Sequence, residues 1–573
     1  MLRHWELYCE LEKNLGFQTS IYTDEPYYKA ERKSDSLEAF WTYCCKDSAV
    51  TYEINSKLGR YLDPMQDAHY RLNMALLNPL LYMENRGIRY DIPAAKIALD
   101  VVNSHVYSLQ SKLDALAGLG FDFSAADRIQ KAQAVMCYKR NPNQPKADYV
   151  EDHDSVMAIL AQPTSTVEQQ GYVSTILGAS MNLKSPMFKD FLYERLGLPK
   201  QYKIDPNTGK EALSTDYLSL LQIQKKQPHP AVELALELSS LRTRSQMLSI
   251  SADKDGRVRC GYNIVGTETG RLTCYTSPTG SGYNLQTIPS KDKSKPAAHP
   301  LRNGMRHLFQ ADPGYYMFQC DLSGADGWTV GAHLAALGDR TMLDDLLFRI
   351  KPAARICYML RHGNASLAGK SRPEIKELLK EVKGEDWDYF ACKQGIWGTC
   401  YLMGPDKLGL VIAIQSEGRR WMSRSEVKDF QNSVFAAYRV KMWHASMERK
   451  LATKPELVAA SGHKRRFFGR PGEILGQALA HEPQANTTYS TNLAMYRLWT
   501  DPENRVGNKL RIEPLHQVHD ALLGQFKIED TEWAKIKIKQ WFDNKIIIAG
   551  QPITIPYEGN YGSSWGTLDE GVL

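Results

Sequence analysis

Two short strand-like runs, each ending in an aspartate, constrain this chain more than any other feature. Residues 315–320 lead to Asp321, and residues 515–519 lead to Asp520. The length and composition of each run are typical of a buried β-strand. A carboxylate at the end of a strand is held by rigid backbone, and two such groups can bind a pair of divalent cations. If each stood alone, Asp321 could equally cap the next helix and Asp520 could be a turn residue.

The pattern between and around these runs is mainly helical. Helices are predicted from about 331 to 453 and from 473 to 498, with strand signals near 465 and a hairpin over 511–527. Upstream, a helix is predicted from about 67 to 86, where Gly87 ends it and Pro79 kinks or splits it. Residues 93–250 are predicted mostly helical, with a turn at 203–210. This layout favours a sheet floor with a helical insertion folded over it.

The predicted helix over residues 387–403 carries a second constellation. Lys393, Trp397 and Tyr401 are four residues apart, so they lie on one helix face. A lysine can neutralise phosphate oxygens, and aromatic rings can stack on a base. The alternative is an ordinary amphipathic helix with buried aromatics. Nearby Gly395, Gly398 and Gly404 indicate either close approach of another group or a helix that must move. Together with the aspartates, the stripe suggests metal-assisted phosphoryl transfer.

Bulk properties leave the function open but exclude some classes. A chain of 573 residues is expected to form two to four domains, and a net charge of +6 permits a polyanionic partner without requiring one. The ten cysteines show no zinc-ligand spacing, which favours a reduced, intracellular protein. No stretch predicts a signal peptide or a membrane span. The expected location is cytoplasmic, meaning the host cytoplasm if the chain is phage-encoded.

An ordered series of motifs resembles family A DNA polymerases, of phage type. The series covers about residues 65–566 and includes residues 266–272 and 284–289 at the palm entry, a motif A from Asp321, a motif B from Lys393 to Tyr401, and a motif C at 517–520. The resemblance implies an α+β right-hand polymerase fold with an antiparallel palm sheet and mostly helical thumb and fingers. The expected domains are an exonuclease remnant (1–62), thumb (63–250), first palm part (251–340), fingers (341–474) and second palm part (475–573).

The resemblance also implies roles for individual residues. Asp321 and Asp520, with the Leu322 carbonyl, would hold two Mg²⁺ ions, with Mn²⁺ as a substitute. Lys393 would contact the incoming triphosphate beside Trp397. Tyr401 and Asp326 would crowd the sugar 2′ position and select deoxynucleotides. The residues expected to track the minor groove of the primer–template DNA are Arg271, Asn284, Gln286, Gln484 and His519. For Asn284 and His519, a turn residue and a satisfied histidine are the alternatives.

Four departures from the family pattern affect these expectations. Ala521 replaces the usual glutamate after the motif C aspartate, and Asp326 replaces a longer glutamate. Tyr389 stands where an arginine normally precedes the motif B lysine, so another cation would have to share the phosphate charge. Trp397 replaces Phe or Tyr and has no phenolic hydroxyl, which predicts discrimination against dideoxynucleotides.

The N-terminal segment resembles the end of a 3′–5′ proofreading exonuclease. Tyr43 and Asp47 have the spacing of its last motif, but about 60 residues cannot contain its other carboxylates. No proofreading is expected from this chain alone. A truncated chain, a structural relic, and a split gene whose separate exonuclease polypeptide docks on residues 1–62 are three explanations.

The expected function is therefore template-directed addition of deoxynucleotides to a primer 3′ end by two-metal phosphoryl transfer. Primer–template DNA and deoxynucleoside triphosphates are the expected partners. Two alternatives stay open: a single-subunit RNA polymerase-like enzyme, which normally lacks an acid at the position of Asp326, and a catalytically silent DNA-binding subunit.

Overall fold

The computed structural model describes residues 1–33, 36–119, 121, 123–138, 146–162, 164–177, 180–204, 209–277 and 281–573. The chain forms two units. The first unit comprises Met1–Tyr90, Ser251–Ile288 and Phe309–Leu573, and the second comprises Asp91–Ile250 and Pro289–Leu308. In the described part of the chain, no helix is long and apolar enough to cross a membrane. The boundaries predicted for thumb, palm and fingers stay predictions.

The helices dominate both units. In chain order they are α1 (Leu2–Leu7), α2 (Leu15–Tyr22), α3 (Leu37–Leu58), α4 (Pro64–Arg86), α5 (Ile92–Ala117), α6 (Arg128–Tyr138), α7 (Lys146–Leu160), α8 (Val167–Ile176), α9 (Pro186–Asp190), α10 (Tyr217–Lys226), α11 (Pro230–Leu248), α12 (Ala325–Ala336), α13 (Thr341–Leu347), α14 (Pro352–His362), α15 (Arg372–Leu378), α16 (Trp387–Cys400), α17 (Pro405–Gln415), α18 (Arg424–Ala437), α19 (Val440–Thr453), α20 (Pro471–Thr500) and α21 (Thr531–Phe542).

The strands are short except near the centre of the first unit. They are β1 (Ile88–Tyr90), β2 (Tyr202–Ile204), β3 (Glu211–Leu213), β4 (Arg257–Val258), β5 (Gly261–Asn263), β6 (Thr273–Tyr275), β7 (Phe309–Gln310), β8 (Tyr315–Leu322), β9 (Glu456–Val458), β10 (Lys464–Arg466), β11 (Arg505–Val506), β12 (Lys509–Leu510), β13 (Ile512–Val518), β14 (Ala521–Lys527), β15 (Lys545–Ile548), β16 (Gln551–Thr554), β17 (Tyr557–Gly562) and β18 (Gly571–Val572).

A five-stranded antiparallel sheet organises the first unit. Its order is β13-β14-β8-β17-β18, so β8 lies in the middle with a paired strand on each side. Met317, Phe318 and Phe526 are fully buried in this sheet. Because successive residues of a strand point to opposite faces, the burial of both Met317 and Phe318 means that both faces of β8 are covered. The α+β class with an antiparallel sheet, predicted from the sequence, is confirmed.

A helical layer forms an apolar core in the first unit. Its buried side chains come from α12 through α20, and Phe430, Tyr438 and Trp443 are among the largest. This core fixes α16 against α14, α17 and α18. In the second unit, α5 packs along α11, and its core includes Phe188 and Leu238.

Most predicted elements occur, with two differences. The helix α4 begins at Pro64 and ends before Gly87, which has φ 60°, and Pro79 does not split it. Pro79 is buried along this helix, so packing outweighs its missing N–H donor. The helix predicted over 387–403 ends at Cys400, which leaves Tyr401 as its C-cap. The predicted turn at 203–210 joins the antiparallel strands β2 and β3, and its residues 205–208 lie outside the described part.

Candidate active site

The central sheet brings the two predicted catalytic aspartates together. Asp321 is the next-to-last residue of β8, and its register partner on β14 is Ala521. Asp520 precedes Ala521 in the two-residue turn between β13 and β14, and its carbonyl accepts the Leu322 N–H at 3.0 Å. The alternative that Asp321 caps the next helix is excluded, because Gly324 is the N-cap of α12. Asp520 does occupy a turn, and this turn places it beside the end of β8.

A third carboxylate, absent from the sequence analysis, lies on the other side of Asp321. Glu558 on β17 is the register partner of Asp321, and its Oε1 accepts a hydrogen bond from Ser323 Oγ at 3.1 Å. Directly opposed residues of antiparallel strands point to the same face, with Cβ atoms about 5 Å apart. Asp321 therefore lies between Ala521 and Glu558, all on one face. Position 521 carries no acid, but the strand pairing places the carboxylate of Glu558 on the other side of Asp321.

The donors at this edge of the sheet suit a hard divalent cation. Asp321 and Glu558 are exposed and Asp520 is half-buried, so their carboxylates meet solvent at the end of β8. Carboxylate oxygens with open solvent positions are what Mg²⁺ takes, since it retains several waters and completes its shell with phosphate oxygens. The residues present fit the predicted magnesium site.

The Lys393–Trp397–Tyr401 stripe lies on α16 and its C-cap. Lys393 is exposed, and Trp397 and Tyr401 are half-buried. Trp397 lies against α12: a Cβ placed on Gly327 would be 3.0 Å from its Cη2 atom. Because Gly327 has no side chain, the Trp397 indole can pack against its backbone, directly after Asp326 in the chain. The stripe is thus held next to the segment that follows Asp321.

The close approach indicated by the glycines of α16 is explained by helix packing. A Cβ on Gly395 would lie 2.8 Å from Phe430 of α18, and one on Gly398 would lie 3.0 Å from Leu408 of α17. These glycines face the apolar core, away from the Lys393 side. They are structural residues that let three helices pack closely.

Asp326, Tyr401 and Arg271 form an electrostatic group beside this stripe. The Tyr401 hydroxyl faces the Asp326 carboxylate, outside the geometry of a normal hydrogen bond. Burial raises the pKa of Asp326 above its usual range, and the positive charge of Arg271 opposes that shift. Burial and then the Asp326 charge raise the pKa of Tyr401 well above the usual value. The phenol is therefore neutral at any ordinary pH. The pair lies near Asp520, whose charge also raises the pKa of Asp326.

Gln517 connects Gln286 to His519 in the turn that carries Asp520. His519 adopts a positive φ of 52°, and burial, then the charge of Arg271, lower its pKa. Gln286 donates through Nε2 to the carbonyls of Leu272 and Gln517, each at 3.1 Å. Gln517 in turn donates to the His519 carbonyl at 2.8 Å and is fully buried. Gln517, which the sequence did not single out as a site residue, therefore stabilises the turn that carries Asp520.

Asn284 and Gln484 are two further residues that the sequence predicts to contact DNA. Asn284 caps a short helical turn, where its Oδ1 accepts from the Gln286 N–H at 3.1 Å, so it does act as a turn residue. Gln484 lies half-buried on α20, which packs against β13 and β14. Their contact with nucleic acid stays a prediction.

The position of the missing motif B arginine is filled by an apolar contact. Tyr389 is half-buried against the helical core. Cations near the start of α16 are held by acids instead: Arg361 pairs with Asp386, and Arg420 Nε pairs with Asp388 at 3.0 Å. Because both arginines are paired with aspartates, neither is the additional phosphate-binding cation that the sequence requires.

The chain is similar to several known DNA polymerases. A model of DNA polymerase family A matches residues 160–346. DNA polymerase I of Treponema pallidum is 25% identical over 428 residues, which are 72% of this chain and 38% of that protein. The thermostable DNA polymerase I of Thermus filiformis is 24% identical over 409 residues, 69% of this chain and 42% of the relative. The DNA polymerase of Escherichia phage T5 is 23% identical, over 65% and 43% of the two chains. The chain spans about two fifths of the length of these curated relatives.

A solved structure has the same fold. The polymerase domain of Pol1 from M. smegmatis, in complex with DNA primer-template and dNTP, superposes with a TM-score of 0.62 at 18% identity. The match covers 99% of this chain and 81% of that one. Together with the family model and the relatives, this match shows that the chain is similar to DNA polymerases of family A.

Proposed function

We propose that this chain is a template-directed DNA polymerase that adds deoxynucleotides to a primer 3′ end. The observation that carries the proposal is the meeting of Asp321, at the end of β8, with Asp520, in the β13–β14 turn, beside the Asp326–Tyr401 pair. The similarity to DNA polymerases of family A supports the reaction class.

The proposed metal chemistry needs two divalent cations. Asp321 and Asp520 would hold two Mg²⁺ ions, with Mn²⁺ as a substitute, and the Leu322 carbonyl would be a further ligand. When bound, the ions activate the primer hydroxyl and stabilise the charge on the leaving pyrophosphate. The contribution of the protein is to fix these carboxylates on a paired strand and a tight turn, so little reorganisation is needed.

The proposed nucleotide contacts come from α16 and α12. Lys393, exposed on α16, would neutralise the triphosphate, and Trp397 would pack against the incoming base. Tyr401 and Asp326 would occupy the space next to the sugar 2′ position and exclude a ribose hydroxyl. Arg271, Asn284, Gln286, Gln484 and His519 would test the geometry of the base pair from the minor groove.

Primer extension by the purified chain tests the proposal. We expect Mg²⁺-dependent extension of a labelled primer on a complementary template, and a loss of at least about 10²–10³-fold in Asp321→Ala and Asp520→Ala. Glu529→Ala, at an exposed acid beyond β14, serves as the control and should retain full activity. Extension that persists in both aspartate variants would contradict the proposed site.

The same assay separates the two alternative functions. A single-subunit RNA polymerase would extend the primer with ribonucleotides at least as well as with deoxynucleotides, and Asp326 argues against this. A silent DNA-binding subunit would bind primer–template DNA but would extend it with neither substrate. Degradation of a mismatched primer terminus by this chain alone would contradict the expected lack of proofreading.

The N-terminal segment is proposed to dock a separate exonuclease polypeptide. Its α3 presents exposed apolar side chains that the first unit does not cover, among them Leu37, Trp41 and Tyr52. Asp47, the acid expected to bind metal in an exonuclease, is instead paired with Lys29 and accepts a hydrogen bond from Tyr28 at 2.6 Å. Hydrogen bonds from Lys29 and Tyr28 lower its pKa although burial opposes this. Co-purification with a nuclease, lost in Trp41→Glu, tests this proposal. A viral origin stays a prediction.

A further inference from the structure

A buried cluster of metal-binding side chains lies away from the aspartates of the candidate active site. Glu6 on α1, His69 on α4 and His463 before β10 come from three distant segments of the first unit. Their exposed fractions are 0%, 8% and 1%. Burying a carboxylate with two imidazoles is costly unless each finds a compensating partner.

The donor atoms of these side chains converge on one point. His69 Nδ1 is 2.9 Å and His463 Nδ1 is 3.8 Å from Glu6 Oε2. One donor atom from each residue lies within 4.8 Å of the other two. Among the residues that the structure describes, no other three histidine, cysteine or acidic side chains meet this condition.

The orientation of His463 favours a metal ligand over a simple hydrogen-bond donor. Its Nε2 is 2.8 Å from the Glu268 carbonyl, which can only accept, so the proton is on Nε2. Its buried Nδ1, aimed at Glu6, has no partner at hydrogen-bond distance. A histidine that binds metal through one nitrogen usually donates from the other to a carbonyl in this way. Trp5 stacks on the ring at a centroid distance of 4.2 Å and fixes its plane.

Neighbouring groups orient the cluster and leave space beside it. Asn73 Nδ2 donates to Glu6 Oε1 at 3.0 Å, which leaves Oε2 for the cluster. The buried Cys9 thiol lies beside the His463 ring. A small cavity, lined in part by His69 and His463, adjoins the cluster and gives an ion or a water a place to enter.

We propose that Glu6, His69 and His463 bind one Zn²⁺ ion or a similar transition-metal ion, with a water molecule from the adjoining cavity as the fourth ligand. Carboxylate oxygen and imidazole nitrogen are donors that Zn²⁺ takes in tetrahedral sites, whereas Mg²⁺ takes only oxygen. Because the ligands are buried and no position faces a substrate, the ion has a structural role. It links α1 to α4 and to the segment before β10.

Metal analysis of the full chain tests this proposal. The measurements use Asp321→Asn/Asp520→Asn protein, so that the candidate active site does not retain the added ion. After exposure to Zn²⁺ and dialysis against a weak chelator, we expect about one Zn²⁺ per chain and a thermal midpoint raised by added Zn²⁺. Glu6→Gln and His463→Gln should lose the ion. His481→Gln is the matched control, since His481 is buried with its ring 5.5 Å from that of His463, and it should retain the ion.

Cobalt substitution gives a second readout that does not depend on the stability of these variants. Bound Co²⁺ should show the strong visible absorption of tetrahedral coordination, which His463→Gln should remove and Cys9→Ser should leave in place. Zn²⁺ that is not retained by the parent protein, or that is retained equally by His463→Gln, would overturn the proposal. A Co²⁺ spectrum identical to that of the hydrated ion would also overturn it, and the cluster would then be a metal-free hydrogen-bond network.

Discussion

Single residues at the end of β8 decide how the candidate site holds charge. The register partners of Asp321 are Ala521 on β14 and Glu558 on β17. The additional negative charge beside Asp321 therefore comes from β17 and not from position 521. The family pattern places this extra acid next to the motif C aspartate. In this chain three carboxylates still lie at the end of β8, and one of them, Glu558, belongs to β17.

Replacing Glu558 should therefore weaken the use of Mg²⁺. We expect Glu558→Gln to lower activity about 10- to 100-fold, chiefly by raising the Mg²⁺ concentration needed for half-maximal extension, because an acid next to a metal ligand is lost. Magnesium titrations of primer extension measure this, and primer–template affinity should not change. Glu570→Gln, at an exposed acid just before β18, is the control. Recovery of activity on adding Ala521→Glu would support the compensation, and an unchanged magnesium requirement in Glu558→Gln would contradict it.

Trp397 should set the response to dideoxynucleotides. The indole packs against Gly327 and has no hydroxyl that could replace a missing 3′-hydroxyl group. We expect Trp397→Tyr to improve dideoxynucleotide incorporation relative to deoxynucleotide incorporation by about tenfold, the value of one hydrogen bond of roughly 1.4 kcal/mol. Single-nucleotide insertion kinetics measure the ratio. Trp397→Phe lacks the hydroxyl and should behave as the parent chain does. Equal use of both substrates by the parent chain would show the prediction to be wrong.

Among the elements, α16 depends on close packing through its glycines. Gly395 lies against Phe430 of α18, which is 1% exposed and sits within the helical core. This contact lets the face that carries Lys393 stay exposed while the opposite face packs against the core. The helix is therefore positioned by its small residues as much as by its large ones.

Adding one methyl group at this contact should destabilise the chain. In Gly395→Ala the new Cβ would lie 2.8 Å from Phe430, and overpacking of about 1–3 kcal/mol exceeds the roughly 1 kcal/mol gained in helix propensity. We expect a lower thermal unfolding midpoint and weaker nucleotide binding. Phe430→Leu should restore part of the loss when combined with Gly395→Ala, as a double-mutant cycle would show. A midpoint unchanged by Gly395→Ala would rule out this tight contact.

Across the first unit, an ion-pair network joins α4 and β4 to the central sheet. Asp312, just before β8, pairs with Arg86 of α4 and with Arg257 of β4, and Arg86 also pairs with Glu513 of β13. Although burial opposes the shift, hydrogen bonds from Gln525, Arg86 and Arg257 lower the pKa of Asp312. These contacts connect segments that are far apart in sequence.

The network should make stability depend on pH in acid. Because the folded-state pKa of Asp312 is below its ordinary value of 3.8, its contribution is complete above that pH and is lost as pH falls through the lower folded-state value. We expect Asp312→Asn to lower the thermal midpoint at pH 7 and to differ less from the parent chain as pH decreases below about 4. Asp569→Asn, near the C-terminus, should show no such convergence. A difference that is constant with pH would contradict the assignment to this carboxylate.

Local pattern alone determined most of the elements. The period of apolar residues predicted β8, the 511–527 hairpin, α20 and the helical stretches, since each element must bury one face. It also predicted the Lys393–Trp397–Tyr401 stripe, although α16 ends at Cys400 and Tyr401 caps it. The order of the motifs along the chain was enough to indicate the resemblance to family A DNA polymerases.

Only the tertiary structure decided which side chains meet. Strand periodicity states which face a residue occupies but not which strand lies beside it, so the pairing of Asp321 with Glu558 could not be predicted. Likewise, nothing in the spacing of Glu6, His69 and His463 indicates that they meet, because α1, α4 and the segment before β10 come together only through long-range packing. The sequence specified each element through short-range burial, whereas contacts between distant segments depend on how the whole core closes.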